Sequence, residues 1–74
     1  MSQNQKIVAY HIARLRDKSA AVRLKSISEL ADLGDPAALE ALQETFRSDS
    51  DLDVRIAAQQ AGRAIFLKSQ QSNQ

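Results

Sequence analysis

The stretch Asp49-Ser-Asp-Leu-Asp-Val-Arg55 echoes an earlier one, Asp17-Lys-Ser-Ala-Ala-Val-Arg23, and this echo constrains the fold more than any other feature of the chain. In both, an Asp stands six residues before an Arg, and a Val immediately precedes that Arg. Val22-Arg23 recurs as Val54-Arg55, 32 residues later. Each copy follows an amphipathic run and introduces another. Repetition at such a period is the mark of a helical solenoid, in which each helical pair cannot bury its apolar face alone and stacks on a neighbour.

The runs between the echoes predict four antiparallel helices, over about residues 6–16, 20–33, 36–47 and 52–67. Ile7, Val8, Ile12 and Leu15 lie in one stripe at helical spacing, with His11 at its edge. In the second run Val22, Ser26, Ile27, Leu30 and Leu33 share a face, and Leu24 and Ala31 widen it. An apolar surface that broad predicts a central helix packed on more than one side. Gly34-Asp35-Pro36 is a stop and a restart: Gly for a left-handed C-terminal residue, Asp as a cap, Pro at the first helical position. So short a connection makes helices two and three a hairpin. The third run has a narrow stripe of Ala38, Leu39, Leu42 and Phe46. On the fourth, Val54, Ala57, Ala58, Ala61, Gly62 and Ile65 share a face of mostly small residues. Ser19, and Ser50 or Asp51, are placed to cap the helices that follow them. The domain is expected over residues 6–68, with disordered polar ends at 1–5 and 69–74.

A chain of 74 residues holds one domain and sits near the lower limit for a self-sufficient core. It has no cysteine, so no disulfide can staple it, and added stability must come from helix packing or association. No apolar run approaches the length of a membrane span, and there is no basic-then-apolar N-terminal order of a secretory signal. The expectation is a cytoplasmic chain that binds no membrane.

The sequence from Asp17 through Val22-Arg23, Leu30-Ala31, Leu33-Gly34-Asp35-Pro36-Ala37-Ala38-Leu39 and Leu42, taken with Asp49, Val54-Arg55 and Ala58, resembles the HEAT-like repeat family. It is most similar to the short bacterial form called the phycobilisome-lyase-type HEAT-like repeat. The resemblance covers about residues 6–67, with one complete repeat at 18–47 between a trailing and a leading helix. It implies that Asp17, Arg23, Asp49 and Arg55 form a hydrogen-bonded ladder along the turns. Independently, a bidentate Arg–carboxylate pair suits the tying of a turn to a helix start. The sequence departs from the pattern at Ser26, where Ala is usual, and at Gln59 and Gly62, which stand where the first copy has Ile27 and Leu30. The second turn is also one residue longer than the first. These departures mark the last helix as terminal.

Catalytic and metal chemistry finds little support. Asp49-x-Asp51-x-Asp53 opens like a calcium loop, but Val54 and Gln60 occupy the places that need Gly and a bidentate Glu. There is one His and no His-Glu pair, no Cys nucleophile and no Gly-rich phosphate loop. The chain is therefore read as a non-enzyme without cofactors. Charge is ordered: residues 1–25 carry six basic groups and one acid, 26–53 eight acids and Arg47, and 54–74 three basic groups. Arg14, Arg16 and Lys18 form the core of a candidate basic patch, but scarce aromatics and a net charge of +1 disfavour nucleic acid.

The expected function is a non-catalytic protein–protein interaction module, an adaptor or regulator. Its partner would be another protein, and a second copy of the chain is one candidate. The candidate interface is Ile56, Arg63, Phe66 and Leu67 on the fourth helix together with Tyr10 on the first, because apolar groups there stand off the main stripes. The resemblance implies a second reading: an accessory subunit of a bilin lyase, or a factor in phycobilisome turnover.

Overall fold

The computed structural model describes residues 3–71, and the four helices stack as two layers. They are α1 (Gln3–Arg14), α2 (Ala20–Leu33), α3 (Leu39–Ser48) and α4 (Leu52–Gln71), with a 3₁₀ turn at Pro36–Ala38 leading into α3. α2 and α4 form one layer, with a groove between them lined by Leu24, Ile27 and Ala31 against Ala57, Ala61 and Ala64. α1 and α3 form the other, facing each other through Ile12, Leu15 and Arg16 and through Ala41, Thr45 and Ser48. α2 packs against α1 and α4, and Leu30 at its centre is fully buried. One core runs through all four helices, from Val8 on α1 to Ile65 on α4.

The helix boundaries follow from local chemistry. Ser19 accepts the Val22 N–H at 3.3 Å and starts α2, and Asp51 accepts the Val54 N–H at 3.1 Å and starts α4. Gly34 ends α2 in the left-handed region at φ +67°, with its N–H on the Leu30 carbonyl. Asp35 then accepts the Ala37 N–H at 2.9 Å, and Pro36 opens the next turn. α1 stops at Arg14 because Leu15, Arg16 and Asp17 tighten into bonds to the carbonyls three residues back.

The structure differs from the expectation at both ends. Residues 3–5, expected to be disordered, begin α1, where the Asn4 side-chain amide donates to Asp35 at 3.1 Å. Residues 69–71 continue α4, which meets neither Gly nor Pro after Gly62. Residues 1–2 and 72–74 lie outside the described residues.

A Cβ at position 34 would lie 3.1 Å from Lys68 Cδ and would force an L side chain into the left-handed region. The Lys68 side chain can give way, so the backbone cost dominates. Gly34→Ala is expected to lower stability by about 1–2 kcal/mol, or about 4–16 °C in Tm for a chain of this size. Thermal melts followed by circular dichroism check this; an unchanged Tm would show that the turn relaxes freely.

The repeat junction and the open groove

The two turns repeat the same Asp-to-backbone bond. Asp17 accepts the Ser19 N–H at 2.9 Å, and Asp49 accepts the Asp51 N–H at 2.9 Å. Arg23 joins the two turns. Its Nε and Nη2 donate to Asp49 Oδ2 and Oδ1 at 2.9 and 3.0 Å, while Nη1 donates to the carbonyls of Asp17 and Lys18 at 2.8 and 3.2 Å. The pair is shielded: the two side chains are 11% and 8% exposed. It ties the start of α2 to the end of α3.

The expected ladder of four residues is therefore reduced to one rung. Arg23 and Asp49 are brought together. Asp17 contributes a backbone carbonyl, because its carboxylate faces its own turn. Arg55 is exposed, and its guanidinium makes no hydrogen bond or ion pair among the described residues. An Arg in this fold reaches forward to the Asp of the following turn, and Arg55 has no following turn within residues 3–71.

Burial is the largest single influence on the Asp49 carboxyl and raises its pKa. The Asp51 amide, the Arg23 guanidinium and the charge of Arg55 outweigh it, and the pKa lies below the ordinary value of 3.8. A carboxyl with a depressed folded pKa stabilises the fold fully above its unfolded pKa. That contribution is lost as pH falls through the folded value. Stability is therefore expected to hold down to about pH 5 and to fall progressively below it. Urea melts at stepped pH test this: Asp49→Asn should flatten the acid limb, and an identical limb in both proteins would remove Asp49 from the account. On the surface, Arg47 and Ser48 also lower the Glu44 pKa by hydrogen bonds at 3.0 Å each.

The candidate interface residues divide between two ends of the stack. Arg63 and Phe66 line a groove of about 320 Å³ between α3 and α4, with Leu39, Leu42, Phe46, Ala58 and Gly62. Ile56 and Leu67 are 44% and 49% exposed but lie outside it. Tyr10 is on α1, hydrogen-bonded to Arg14 at 2.9 Å and edge-on to His11. Of the candidate basic patch, Arg14 lies over Tyr10 and Arg16 lines a groove with Glu40 and Glu44, while the backbone carbonyl of Lys18 accepts from Arg23.

Sequence reading missed the α3 wall of the groove because Phe46 falls on the apolar stripe with Leu39 and Leu42. Phe46 is nevertheless 41% exposed. The signal lay in the repeat. A shift of 31 places Phe46 on Leu15 and Leu39 on Val8; a shift of 32 places Gly62 on Leu30 and Ala58 on Ser26. Val8, Leu15, Ser26 and Leu30 are the floor on which the following helices sit, and all are buried. The groove is the same floor one repeat later, with no helix of residues 3–71 upon it. Among those residues no three His, Asp or Glu side chains gather as a metal site, and no helix is long and apolar enough to cross a membrane.

Stacked antiparallel pairs, a recurrent Asp-x₅-Arg turn and an Arg–Asp rung define an all-α helical repeat protein. The sequence profile of HEAT repeats matches residues 2–62, and the chain belongs to that family. Repeats of this kind generally mediate protein–protein interaction through the surfaces their stacking creates. No curated protein and no solved structure gives a match.

Proposed function

We propose that this chain is a non-catalytic protein-binding module and that the α3/α4 groove is its binding surface. The observation that carries this reading is the exposure of Phe46 and Phe66, 41% and 50%, beside the buried Leu42 and Ala58. Large apolar groups ringing an apolar floor lose water-exposed area when a helix or a loop covers them. Arg63 and the amides of Gln43 and Gln59 give the groove a polar edge that fixes orientation. No chemical step is needed for such a role, and His11 is accounted for by its contact with buried Ser26 at 3.5 Å.

A photo-cross-linking residue in place of Gln59 should yield protein adducts in cells. The same residue in place of Ala21, on the exposed side of α2, should yield few. Adding Phe46→Asp and Phe66→Asp should abolish the Gln59 adducts while leaving the melting curve close to wild type, since both rings are already half exposed. Equal adducts from both positions, or adducts indifferent to the two Asp substitutions, would remove the groove as the binding surface.

A further inference from the structure

The two ends of the stack are complementary, and three independent features match. The first is the ladder. One end holds Arg55, whose guanidinium makes no hydrogen bond or ion pair among the described residues and acts on Asp49 through its charge alone; the other holds Asp17, whose carboxylate forms no ion pair there. They are the counterparts, 32 residues apart, of Arg23 and Asp49, which do pair.

The second is shape. The 3₁₀ turn and α3 lie on the floor of α1 and α2 with small residues, Ala38 of the turn and Ala41 of α3, at positions equivalent to Ile7 and Tyr10 of α1. Ile7 and Tyr10 are 39% and 56% exposed, although Ile7 belongs by spacing to the apolar stripe. On its α4 side the open groove has the opposite substitution: Gly62 replaces Leu30 and Ala58 replaces Ser26, so that side offers less side chain to a helix with more, while Phe46 and Leu39 on the α3 side are larger than their counterparts Leu15 and Val8.

The third is charge along the other layer. Inside the stack, Ala31 of α2 shares its groove with Ala61 and Ala64 of α4. One repeat on, the position of Ala31 holds Arg63, and one repeat back the positions of Ala61 and Ala64 hold Glu29 and Asp32. The position of Ala57, which lines the same groove, is held one repeat back by Lys25, so the seam becomes a cation on one end and two acids beside one cation on the other.

We propose that a second copy of this chain docks head to tail, its α1 occupying the α3/α4 groove as α3 occupies the floor of α1 and α2. The inference rests on the groove reading above and names the occupant. α4 of one copy and α1 of the next then form a complete repeat between them. Asp17 of the incoming copy pairs with Arg55, and its Glu29 and Asp32 face Arg63. Such a contact is heterologous: every added copy leaves one groove and one α1 open, so growth continues until a ring closes or a filament forms.

Sedimentation velocity of the purified chain from micromolar to millimolar concentration tests this. The expected result is a weight-average mass that rises past the dimer. Arg55→Glu with Arg63→Glu should raise the dissociation constant at least about tenfold. Asp17→Lys with Asp32→Lys should do the same, and mixing these two double variants should restore association, because each supplies the end the other lacks. Asp17 also holds its own turn, so Tyr10→Glu provides a check that spares it: association should fall, with an unchanged melting temperature at concentrations where the wild type is monomeric. A chain that stays monomeric throughout, a species that stops at a dimer, or variants that associate as the wild type overturn the proposal. Groove adducts to a different protein from a chain that stays monomeric would overturn self-docking and leave the groove reading standing.

Discussion

Replacing Arg23 by Met is expected to unfold most of the chain, whereas replacing Arg55 by Met is expected to do almost nothing. The two residues are the same type at equivalent places in the repeat, so the contrast isolates what the rung contributes. Arg23 donates four hydrogen bonds, two to Asp49 and two to backbone carbonyls. Without it the Asp49 carboxylate, 8% exposed, keeps only the Asp51 amide and a distant Arg55. Stranding a buried charge in this way costs about 3–5 kcal/mol. A single core in so short a chain rarely supplies more than about 3–5 kcal/mol in total. The Arg55 guanidinium makes no hydrogen bond or ion pair among the described residues, so its loss should stay within about 0.5 kcal/mol for the isolated chain. Urea melts of both variants measure the difference. Equal destabilisation by the two substitutions would show that the rung stabilises nothing. The double variant Arg23→Met with Asp49→Asn should recover part of the loss, because it removes the charge that the single variant leaves stranded.

Much of this fold is legible in the residues. The paired Asp-x₅-Arg turns announce a stacked repeat, and Gly34-Asp35-Pro36 ends one helix and begins the next through dihedral and capping preferences that act within a few residues. What spacing alone misreads is partnership. Asp17 and Arg23 are six apart and look like a pair, yet the guanidinium crosses 26 residues to Asp49. The cause is topological: the α2–α3 hairpin returns the chain so that the end of α3 lies beside the start of α2. The groove escaped for a related reason. Whether Leu39 and Phe46 are core or surface depends on whether another layer follows, and nothing within α3 encodes that. His11 shows the converse. It stands at an apolar stripe's edge in the sequence and meets Ser26, a polar residue with no exposure, so two departures from an apolar interior accommodate each other.

Leu30→Ala is expected to be as severe as the loss of Arg23, by a different physical route. Leu30 has no solvent exposure and sits on α2, against which both α1 and α4 pack. Truncation removes the transfer free energy of the lost carbons and leaves a cavity. Comparable substitutions cost about 2–5 kcal/mol, the larger values where the surroundings cannot collapse. Collapse is restricted here because the neighbours are themselves fixed: Ile27 is buried one turn away and Ser26 is committed to His11. With about 3–5 kcal/mol available, the variant should be largely unfolded without denaturant. Leu52→Ala is the matched control, since Leu52 is 59% exposed and should cost little. Because one apolar cluster joins all four helices, the loss should appear as a single transition, with far-ultraviolet dichroism and urea-dependent fluorescence of Tyr10 moving together. A variant in which α2 and α4 stay helical while Tyr10 reports a detached α1 would show that the core is two units rather than one. If copies dock end to end, raising the protein concentration should recover part of the lost stability by mass action, and it should do so for Leu30→Ala but not when Tyr10→Glu is added.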